Sequence, residues 1–551
     1  RHGGFRYFFF RNYYEQNENQ MPITRFERLA FRQPRGKSSS FIKDELGAQI
    51  FADAGFVDYQ PFIPVTTFLN GRYYGLTYMK PPIHRSLFAQ RYGTSDDNFQ
   101  ILSVGNSRHG LDFSIWYSEI HSTYQDEEVI ALMAELNEVF LQDLTNDENF
   151  QRVVELVDID NLLLYYVIQL SINNRDWPHH NYRLWRYQGD DRDLHPHLDG
   201  RWRYVAFDLD GAFDMLYSQN QLINYIINPN VGQWHSKYLE NLLQRSELRE
   251  QFANFANDLR MGALSEENLS SIISELSAKI SFEIEYGRLY GMYHDWQNEN
   301  QVRGSKLELI NIARYQTQAI HDFLVNEFNL SGQAYDVEIV AGEGVRAKLS
   351  SLRTHGGSIE TISGQYFVEH GVQLTYEVSP HYEVYAIKMN GVKIEPFEIL
   401  ELSFADVDSK TNRIEIEIFS RVKNQNQSPI IYEIYNHGRN DWVVIYNPNA
   451  HEISLSNYCL NNNARQLCQW RFPNIVLDGG ERYRIFGRSN RTQESWRNHI
   501  LNFNLARDDY LRLTDASSGE VVSSVRVPLL MRHQSFRYNL SQARYLIEYV
   551  D

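Results

Sequence analysis

The chain has 551 residues, of which 42% are hydrophobic, and a formal net charge of −17. A chain of this length and apolar content can bury more than one core, so we expect two or three domains. The acidic balance argues against a protein whose main surface binds nucleic acid, because such surfaces need excess Lys and Arg, but it is compatible with a local basic patch for a nucleotide. No apolar run reaches the roughly 18–20 residues of a membrane-spanning helix, so none is predicted.

Cysteine usage is sparse, with only Cys459 and Cys468 in the chain. Two cysteines exclude a cysteine-built zinc site and a disulfide framework. One bridge across a short hairpin and two free thiols are both compatible with their spacing. The chain begins at Arg1 without a signal peptide, so we expect a processed or truncated product whose compartment no targeting sequence reveals.

The N-terminal region alternates strand and helix patterns. Phe5–Arg11 predicts a strand, and a helix with one apolar face is predicted from Ser39 to a stop at Gly55. Two further strands, Phe62–Leu69 and Arg72–Met79, flank Asn70-Gly71, the dipeptide most typical of a tight hairpin turn.

Helices dominate the next part of the chain. Glu127–Leu144 has helical periodicity, and Ile159–Leu170 is apolar on nearly every side, which predicts a buried helix. Leu239–Leu259, Glu266–Ile284 and Arg303–Asn329 continue the helical pattern.

Between these helices lies a predicted antiparallel strand pair. Tyr182–Tyr187 alternates in the period-two manner of a half-buried strand, and Arg201–Asp210 is predicted to return beside it after a polar loop. The loop before the first strand and the end of the second strand then lie at the same edge of the sheet.

Four oxygen-bearing side chains converge at that edge. Asp176 and Asn181 precede the pair, and Asp208 and Asp210 end it. Phosphoryl transfer needs such a set: a carboxylate that accepts the hydroxyl proton, and oxygen ligands that hold magnesium on the nucleotide phosphates. The alternative interpretation is structural, with Asp176 capping a helix, Asn181 closing a turn and the Asp-Leu-Asp sequence ending an ordinary strand.

His179 and His180 lie inside this stretch but do not predict a metal site. Neighbouring residues of an extended segment point to opposite faces, so both imidazoles do not reach one ion. Hydrogen bonding or substrate contact is the favoured interpretation.

The central motif resembles the CotH family of atypical, kinase-like proteins of bacterial spore coats. The resemblance is carried by Asn174–Asn181, by Gly200–Phe213, by the upstream Phe68–Leu76 hairpin and by the downstream Trp234–Leu243 helix. It implies an α+β atypical kinase-like domain over residues 1–330.

The resemblance also implies a cofactor set and residue roles. ATP and Mg²⁺ are the implied cofactors, a protein Ser or Thr the implied substrate, and Asp176 the implied general base. Asn181 and Asp208 become metal ligands, and Asp210 assists the metal or orients the loop.

This sequence departs from the family at the expected lysine–glutamate pair. The family lysine aligns with His2, Gly3 and Gly4, and Lys80-Pro81-Pro82 stands where the glutamate is expected. Lys80 is a candidate replacement for the nucleotide-binding lysine, although a lysine in a surface turn is more often solvated.

After residue 330 the pattern changes to short strands separated by polar turns, which predicts a small all-β module over 331–428. From 429 to 551 the chain resembles the lamin-tail domain, on Asp441–Pro448, Ile453–Tyr458 and Trp470–Pro473. That resemblance implies an immunoglobulin-like β-sandwich and a role in surface or coat attachment. Together the two resemblances imply an extracellular or cell-surface protein of a bacterium, spore coats included.

Three functional hypotheses follow. The first is a CotH-type protein kinase, and the second is a catalytically degenerate kinase-like scaffold, coat or adhesion protein. The third is glycoside hydrolysis, in which Asp176 and Asp208 would act as paired carboxylates and release sugar without nucleotide.

Overall fold

The computed structural model describes the chain in segments. These are residues 28–34, 41–92, 94–104, 116–118, 127–174, 176–177, 181–190, 192, 195–213, 234–289, 299–330, 333–379, 381–423, 427–437, 440–449, 451–462, 468–488, 499–505, 510–527, 530, 534–540 and 544–549. The predicted strand Phe5–Arg11 and the His179-His180 pair lie outside these residues.

The α-helices of the described chain are confined to its first 330 residues. Their bounds are α1 (Lys43–Asp53), α2 (Arg85–Tyr92), α3 (Glu127–Phe140), α4 (Asp147–Leu156), α5 (Ile159–Ser171), α6 (Trp234–Leu242), α7 (Ser246–Met261), α8 (Glu266–Leu289) and α9 (Glu299–Glu327). None of the described helices is both long and apolar enough to cross a bilayer.

Two small sheets accompany these helices, in the orders β1-β3-β2 and β5-β4-β6-β7. Their strands are β1 (Ala30–Arg32), β2 (Ile63–Leu69), β3 (Arg72–Lys80), β4 (Phe99–Val104), β5 (Trp116–Ser118), β6 (Arg183–Tyr187) and β7 (Arg203–Tyr204).

The middle region forms two packed sheets, in the orders β10-β9-β12-β15 and β11-β8-β16-β13-β14. Their strands are β8 (Tyr335–Ala341), β9 (Val345–Leu349), β10 (Leu352–Arg353), β11 (Glu360–Tyr366), β12 (Val372–Val378), β13 (Tyr382–Met389), β14 (Val392–Ile394), β15 (Ile399–Leu402) and β16 (Arg413–Val422).

The last region contains a sandwich of sheets β23-β18-β17-β26-β27 and β21-β20-β24-β25, with a short β19-β22 pair. Its strands are β17 (Ile430–His437), β18 (Asn440–Tyr446), β19 (Ile453–Ser454), β20 (Tyr458–Asn461), β21 (Trp470–Arg471), β22 (Val476–Leu477), β23 (Arg482–Phe486), β24 (Tyr510–Asp515), β25 (Val521–Arg526), β26 (Gln534–Asn539) and β27 (Arg544–Tyr549).

The predicted fold class is confirmed: an α+β region is followed by two all-β regions. Separate apolar cores lie within residues 335–418 and 431–536, and the largest core joins the helices to the N-terminal hairpin. The exact boundaries at 330/331 and 428/429 stay predictions. Cys459 and Cys468, whose state the sequence left open, form a disulfide.

The Asn-Gly hairpin forms as predicted. Strands β2 and β3 pair in antiparallel register, and the turn residues Asn70 and Gly71 have φ values of 51° and 76°. Both central residues therefore adopt the left-handed conformation of the turn that Asn-Gly favours. The strand after the turn extends to Lys80, which is thus a strand residue and not part of a surface turn.

Helix α5 is buried from Leu162 to Ser171, as its composition predicts, and only its first turn reaches the surface. Asp158 caps its N-terminus by accepting a hydrogen bond from the Asn161 N–H at 3.0 Å, and its aromatic residues pack against Trp177 and Tyr204. A helix held on all sides gives the loop that follows it a fixed starting point. That loop carries Asp176.

The prediction of one continuous strand from Arg201 to Asp210 is wrong. Only Arg203 and Tyr204 pair with β6. The chain then leaves the sheet, because Ala206 exchanges two backbone hydrogen bonds of 2.8 Å with the segment around Tyr59. Asp208, with φ of 54°, turns the backbone where the strand was expected to continue. Long-range pairing with residues 58–60 overrides the local β pattern here.

Candidate functional site

The Asp208-Leu209-Asp210-Gly211 loop lies beside Asn181. The Asn181 side chain donates from Nδ2 to the Asp208 carbonyl oxygen at 3.2 Å, so its Oδ1 remains oriented as an acceptor. Asn181 and Asp208 both have positive φ, of 60° and 54°. Asn and Asp tolerate this conformation better than other non-glycine residues, which explains their occurrence at these two turns.

Asp176 packs directly against Gly211. A Cβ at position 211 would lie 2.9 Å from the Asp176 Cβ and 3.0 Å from the Asn174 Oδ1. The absence of a side chain at Gly211 therefore lets the two loops approach. The Asn174 Oδ1 is buried and has no hydrogen-bond partner among the described residues.

Arg32 joins the two aspartates of the loop. Its Nη1 contacts the Asp208 carboxylate, and its Nη2 donates to the Asp210 Oδ2 at 2.8 Å. Arg32 ends strand β1 and lies opposite Tyr78 of β3, on the same face of the sheet. Both carboxylates thus reach a single positive group.

Lys80 is buried and ion-paired, so the expectation of a solvated lysine is wrong. Its Nζ lies 2.6 Å from the Asp44 Oδ2 and 2.9 Å from the Glu45 Oε1, and its side chain is 3% exposed. Both carboxylates belong to the first turn of α1. The lysine–carboxylate pair that the sequence was expected to lack is therefore present, with the acidic residues placed before the hairpin instead of after it.

Asp44 connects this pair to the aspartate loop. Its second oxygen, Oδ1, accepts a hydrogen bond from the Leu209 N–H at 2.9 Å. The Leu209 side chain is buried against Gly47 of the same helix, where an added Cβ would lie 2.9 Å from it. Helix α1 consequently positions Lys80 and the Asp208–Asp210 segment relative to each other.

Burial shapes the electrostatics of the three charged groups. Burial lowers the pKa of the Lys80 ammonium, but the carboxylates of Glu45 and Asp44 outweigh it and hold that pKa above its ordinary value. Desolvation raises the pKa of Glu45 to about 7, against the pull of Lys80. Asp44 is also desolvated, yet Lys80 and the Leu209 N–H together lower its pKa. Both carboxylates therefore stabilise the charge of Lys80, and Glu45 takes up a proton more readily than Asp44 as pH falls.

The oxygen set fits a divalent cation. The Asp208 and Asp210 carboxylates contact different nitrogens of the Arg32 guanidinium, and the Asn181 side chain donates to the Asp208 carbonyl oxygen of the same loop. Carboxylate and amide oxygens are the ligands that Mg²⁺ takes in proteins. These residues would hold the ion, and a small pocket beside them is lined by Arg32, Asp44, Glu45, Lys80 and Asp210.

The structure thus brings all five predicted site residues into one region. Asp176 touches Gly211, Asn181 bonds to Asp208, and Lys80 reaches the aspartate loop through Asp44. Their catalytic and metal-binding roles stay predictions. Sequence reasoning missed Arg32, Asp44 and Glu45. Asp44 and Glu45 are adjacent acidic residues on a largely buried helix, and this pattern indicates a nearby basic group, because a buried carboxylate needs a partner.

Lys80 is buried on a strand and pairs with carboxylates of helix α1, and the loop that carries Asp208 and Asp210 lies beside it. This arrangement is typical of a kinase-like domain. Residues 7–319 match the family model described as CotH kinase protein, and residues 423–528 match the Lamin Tail Domain. Since the first match covers more than half of the chain, this protein belongs to the CotH kinase family. No curated protein matches the chain.

Proposed function

We propose that this protein is an ATP- and Mg²⁺-dependent kinase that transfers the γ-phosphate to Ser or Thr of a protein substrate. The observation that carries the proposal is the bond chain from Lys80 through Asp44 to the Leu209 N–H. In protein kinases, a strand lysine paired with a helix carboxylate must be in place together with the metal-binding aspartate. Here the first turn of helix α1 links Lys80 to the loop that carries Asp208 and Asp210.

The proposed roles follow from position. Lys80 contacts the nucleotide phosphates, and Asn181 and Asp208 hold Mg²⁺ with the help of Asp210. The ion neutralises charge on the phosphates when it is bound. Asp176, in contact with Gly211 at the other side of the loop, accepts the proton of the substrate hydroxyl.

We also propose an extracellular or cell-surface location in a bacterium, such as a spore coat, with the lamin-tail sandwich as the attachment module. The Cys459–Cys468 disulfide supports this location, because disulfides persist mainly in oxidising compartments.

One observation favours the second candidate, a kinase-like scaffold without catalysis. Arg32 already contacts both Asp208 and Asp210, so part of the negative charge of the aspartate pair is offset without a metal ion. In a scaffold this contact would be permanent. In a kinase Arg32 exchanges it for the phosphates of bound ATP.

Nucleotide binding separates the two candidates. Calorimetric titration of ATP into the protein is expected to show binding that depends on Mg²⁺ and weakens by roughly tenfold or more in Asp208→Ala. Asp190→Ala is the matched control, since Asp190 is an exposed aspartate in the loop of the same hairpin. It is expected to bind ATP like the wild type. Absence of Mg²⁺-dependent ATP binding in the folded wild type would establish the scaffold instead.

A further inference from the structure

A long cleft runs along the contact between the helical region and the first all-β region. It encloses about 700 Å³, and its lining includes the end of α1, the start of α8 and strand β11. Ordinary small-molecule sites enclose roughly 300–1,000 Å³ and are mostly apolar and aromatic. The volume of this cleft lies within that range, and its lining mixes polar with apolar side chains, so the chemistry of its walls and not its size must identify the occupant.

Strand β11 forms one wall of the cleft and is an edge strand. In the sheet order β11-β8-β16-β13-β14 it pairs with β8 alone among the described strands. Thr361 and Ser363 are exposed and line the cleft, while Ile362 between them is buried in the core. An edge strand leaves the N–H and C=O groups of every second residue pointing away from its sheet.

The structure shows which residues point outward. Phe367, just after β11, donates its N–H to the Asn254 Oδ1 at 2.8 Å and accepts from the Asn254 Nδ2 at 2.9 Å. Since backbone direction alternates along a strand, Thr361 and Ser363 share the direction of Phe367. Among the described residues, neither has a backbone hydrogen bond outside the sheet ladder.

Asn254 demonstrates what the edge accepts. Its side-chain amide presents one donor and one acceptor to Phe367, as a peptide group of an added strand would. Helix α7 carries this residue and covers the edge only as far as Gln365, where Arg260 donates to the Gln365 Oε1 at 3.0 Å. Beyond it the edge opens into the cleft.

The charge of the cleft lining favours a basic ligand. The cleft lining carries the exposed carboxylates of Asp53 and Glu267 against the guanidinium of Arg353. A peptide with Lys or Arg side chains complements this excess of negative charge. In an antiparallel pairing, the exposed hydroxyls of Thr361 and Ser363 would lie opposite small polar side chains of the peptide.

We propose that the cleft is a docking site for an extended, basic segment of a protein partner, which adds as a strand to β11 at Thr361–Ser363. The identification of that partner as the phosphorylated substrate rests on the proposed function. Asp44 at the candidate site and Ala52 at the cleft lie on one helix, eight residues or about 12 Å apart at about 1.5 Å per residue. About four or more extended residues therefore separate the docked strand from the phosphoacceptor.

The test uses the full chain without nucleotide and a defined probe. An eight-residue, end-blocked peptide of alternating lysine and threonine is titrated and followed by fluorescence anisotropy, beside a peptide in which glutamate replaces lysine. Thr361→Pro removes the outward N–H at a position where an edge strand tolerates proline, and Thr361→Val changes the same side chain but keeps the N–H. The lysine peptide is expected to bind the wild type and Thr361→Val alike, and Thr361→Pro about tenfold more weakly.

A second variant keeps the test decisive if Thr361→Pro fails to fold. Glu267→Lys reverses one exposed charge of the cleft and is expected to weaken the lysine peptide about fivefold, with little effect on folding. Equal affinity of the wild type for both peptides, no binding of the lysine peptide, or unchanged affinity in the folded variants would overturn the docking site. None of these results depends on ATP, so the kinase proposal can fail or stand separately.

Discussion

At the scale of single residues, the two carboxylates beside Lys80 have unequal roles. Asp44 bonds to both Lys80 and the Leu209 N–H, whereas Glu45 contacts Lys80 and holds a proton more readily because burial raises its pKa to about 7. Removing the counter-charge of a buried lysine is costly, while removing a carboxyl group that takes up a proton more readily costs less.

We therefore expect Asp44→Asn to lower the free energy of unfolding by about 3 kcal/mol or more and to weaken Mg²⁺-dependent ATP binding. Glu45→Gln is the matched control, and its effect should depend on pH. The folded-state pKa of Glu45 is raised from 4.5, so its contribution to stability is fully present below pH 4.5 and is lost as pH rises to about 7. Wild type and Glu45→Gln should thus be similar at pH 4.5.

At pH 8 the Gln variant should be relatively more stable, by about 1–3 kcal/mol. Urea unfolding of the three proteins at both pH values measures these differences. Equal destabilisation by both substitutions at pH 8 would show that Glu45 is as fully charged as Asp44.

At the scale of elements, the contact between two loops at Gly211 is a point where spacing controls chemistry. A Cβ there would lie 2.9 Å from the Asp176 Cβ, which forces the Asp176 loop to shift. Gly211→Ala is expected to lower the phosphotransfer turnover about tenfold or more, because a displaced general base loses its alignment, with ATP affinity nearly unchanged.

The control is Gly71→Ala in the β2–β3 turn, where space is open but φ is 76°. It should cost about 1 kcal/mol of stability and leave turnover alone. If Gly71→Ala and Gly211→Ala reduce turnover equally, the effect comes from general destabilisation and not from Asp176.

Elements whose signal is local were predictable from the sequence. The Asn70-Gly71 hairpin and helix α5 formed within a residue or two of their predicted bounds, because turn chemistry and apolar periodicity act within the segment. The end of the Arg201–Asp210 strand was not predictable from the sequence. Ala206 forms its backbone hydrogen bonds with the segment around Tyr59, more than 140 positions earlier in the chain.

The candidate site was predictable to a similar degree. Asp176, Asn181 and Asp208 stand close together in the sequence around one hairpin, so their proximity follows from strand pairing. The contact between Lys80 and its partners does not follow from strand pairing. Asp44 is 36 positions away and meets the lysine only when α1 packs on the hairpin. Sequence spacing alone does not reveal such a contact.

At the scale of the whole molecule, helix α7 joins the helical region to the first all-β region through buried polar contacts. Asn254 bonds to the Phe367 backbone, and the Glu250 carboxylate accepts from the His370 N–H at 3.1 Å. Directional hydrogen bonds of this kind fix the relative placement of two cores more strictly than apolar contact does. The docking cleft depends on that placement, since its walls come from both regions.

Asp258 is the group through which pH acts on this junction. It is buried on α7, and its Oδ2 accepts from the Ser351 N–H at 2.9 Å and from the Ser351 Oγ at 2.7 Å. Burial dominates these bonds and raises the pKa of Asp258 to about 6, from 3.8. Its contribution to stability is therefore present below about pH 4 and is lost as pH rises through 6, because ionisation is easier in the unfolded chain.

Asp258→Asn keeps the shape of the side chain without its charge. We expect the variant to match the wild type at pH 4 and to be more stable at pH 8 by about 1–3 kcal/mol, measured from urea unfolding curves. Asp190→Asn, an exposed position, should show no such pH-dependent difference. A variant that is less stable than the wild type by the same amount at both pH values would mean that the Ser351 hydrogen bonds outweigh the cost of burying the carboxylate charge.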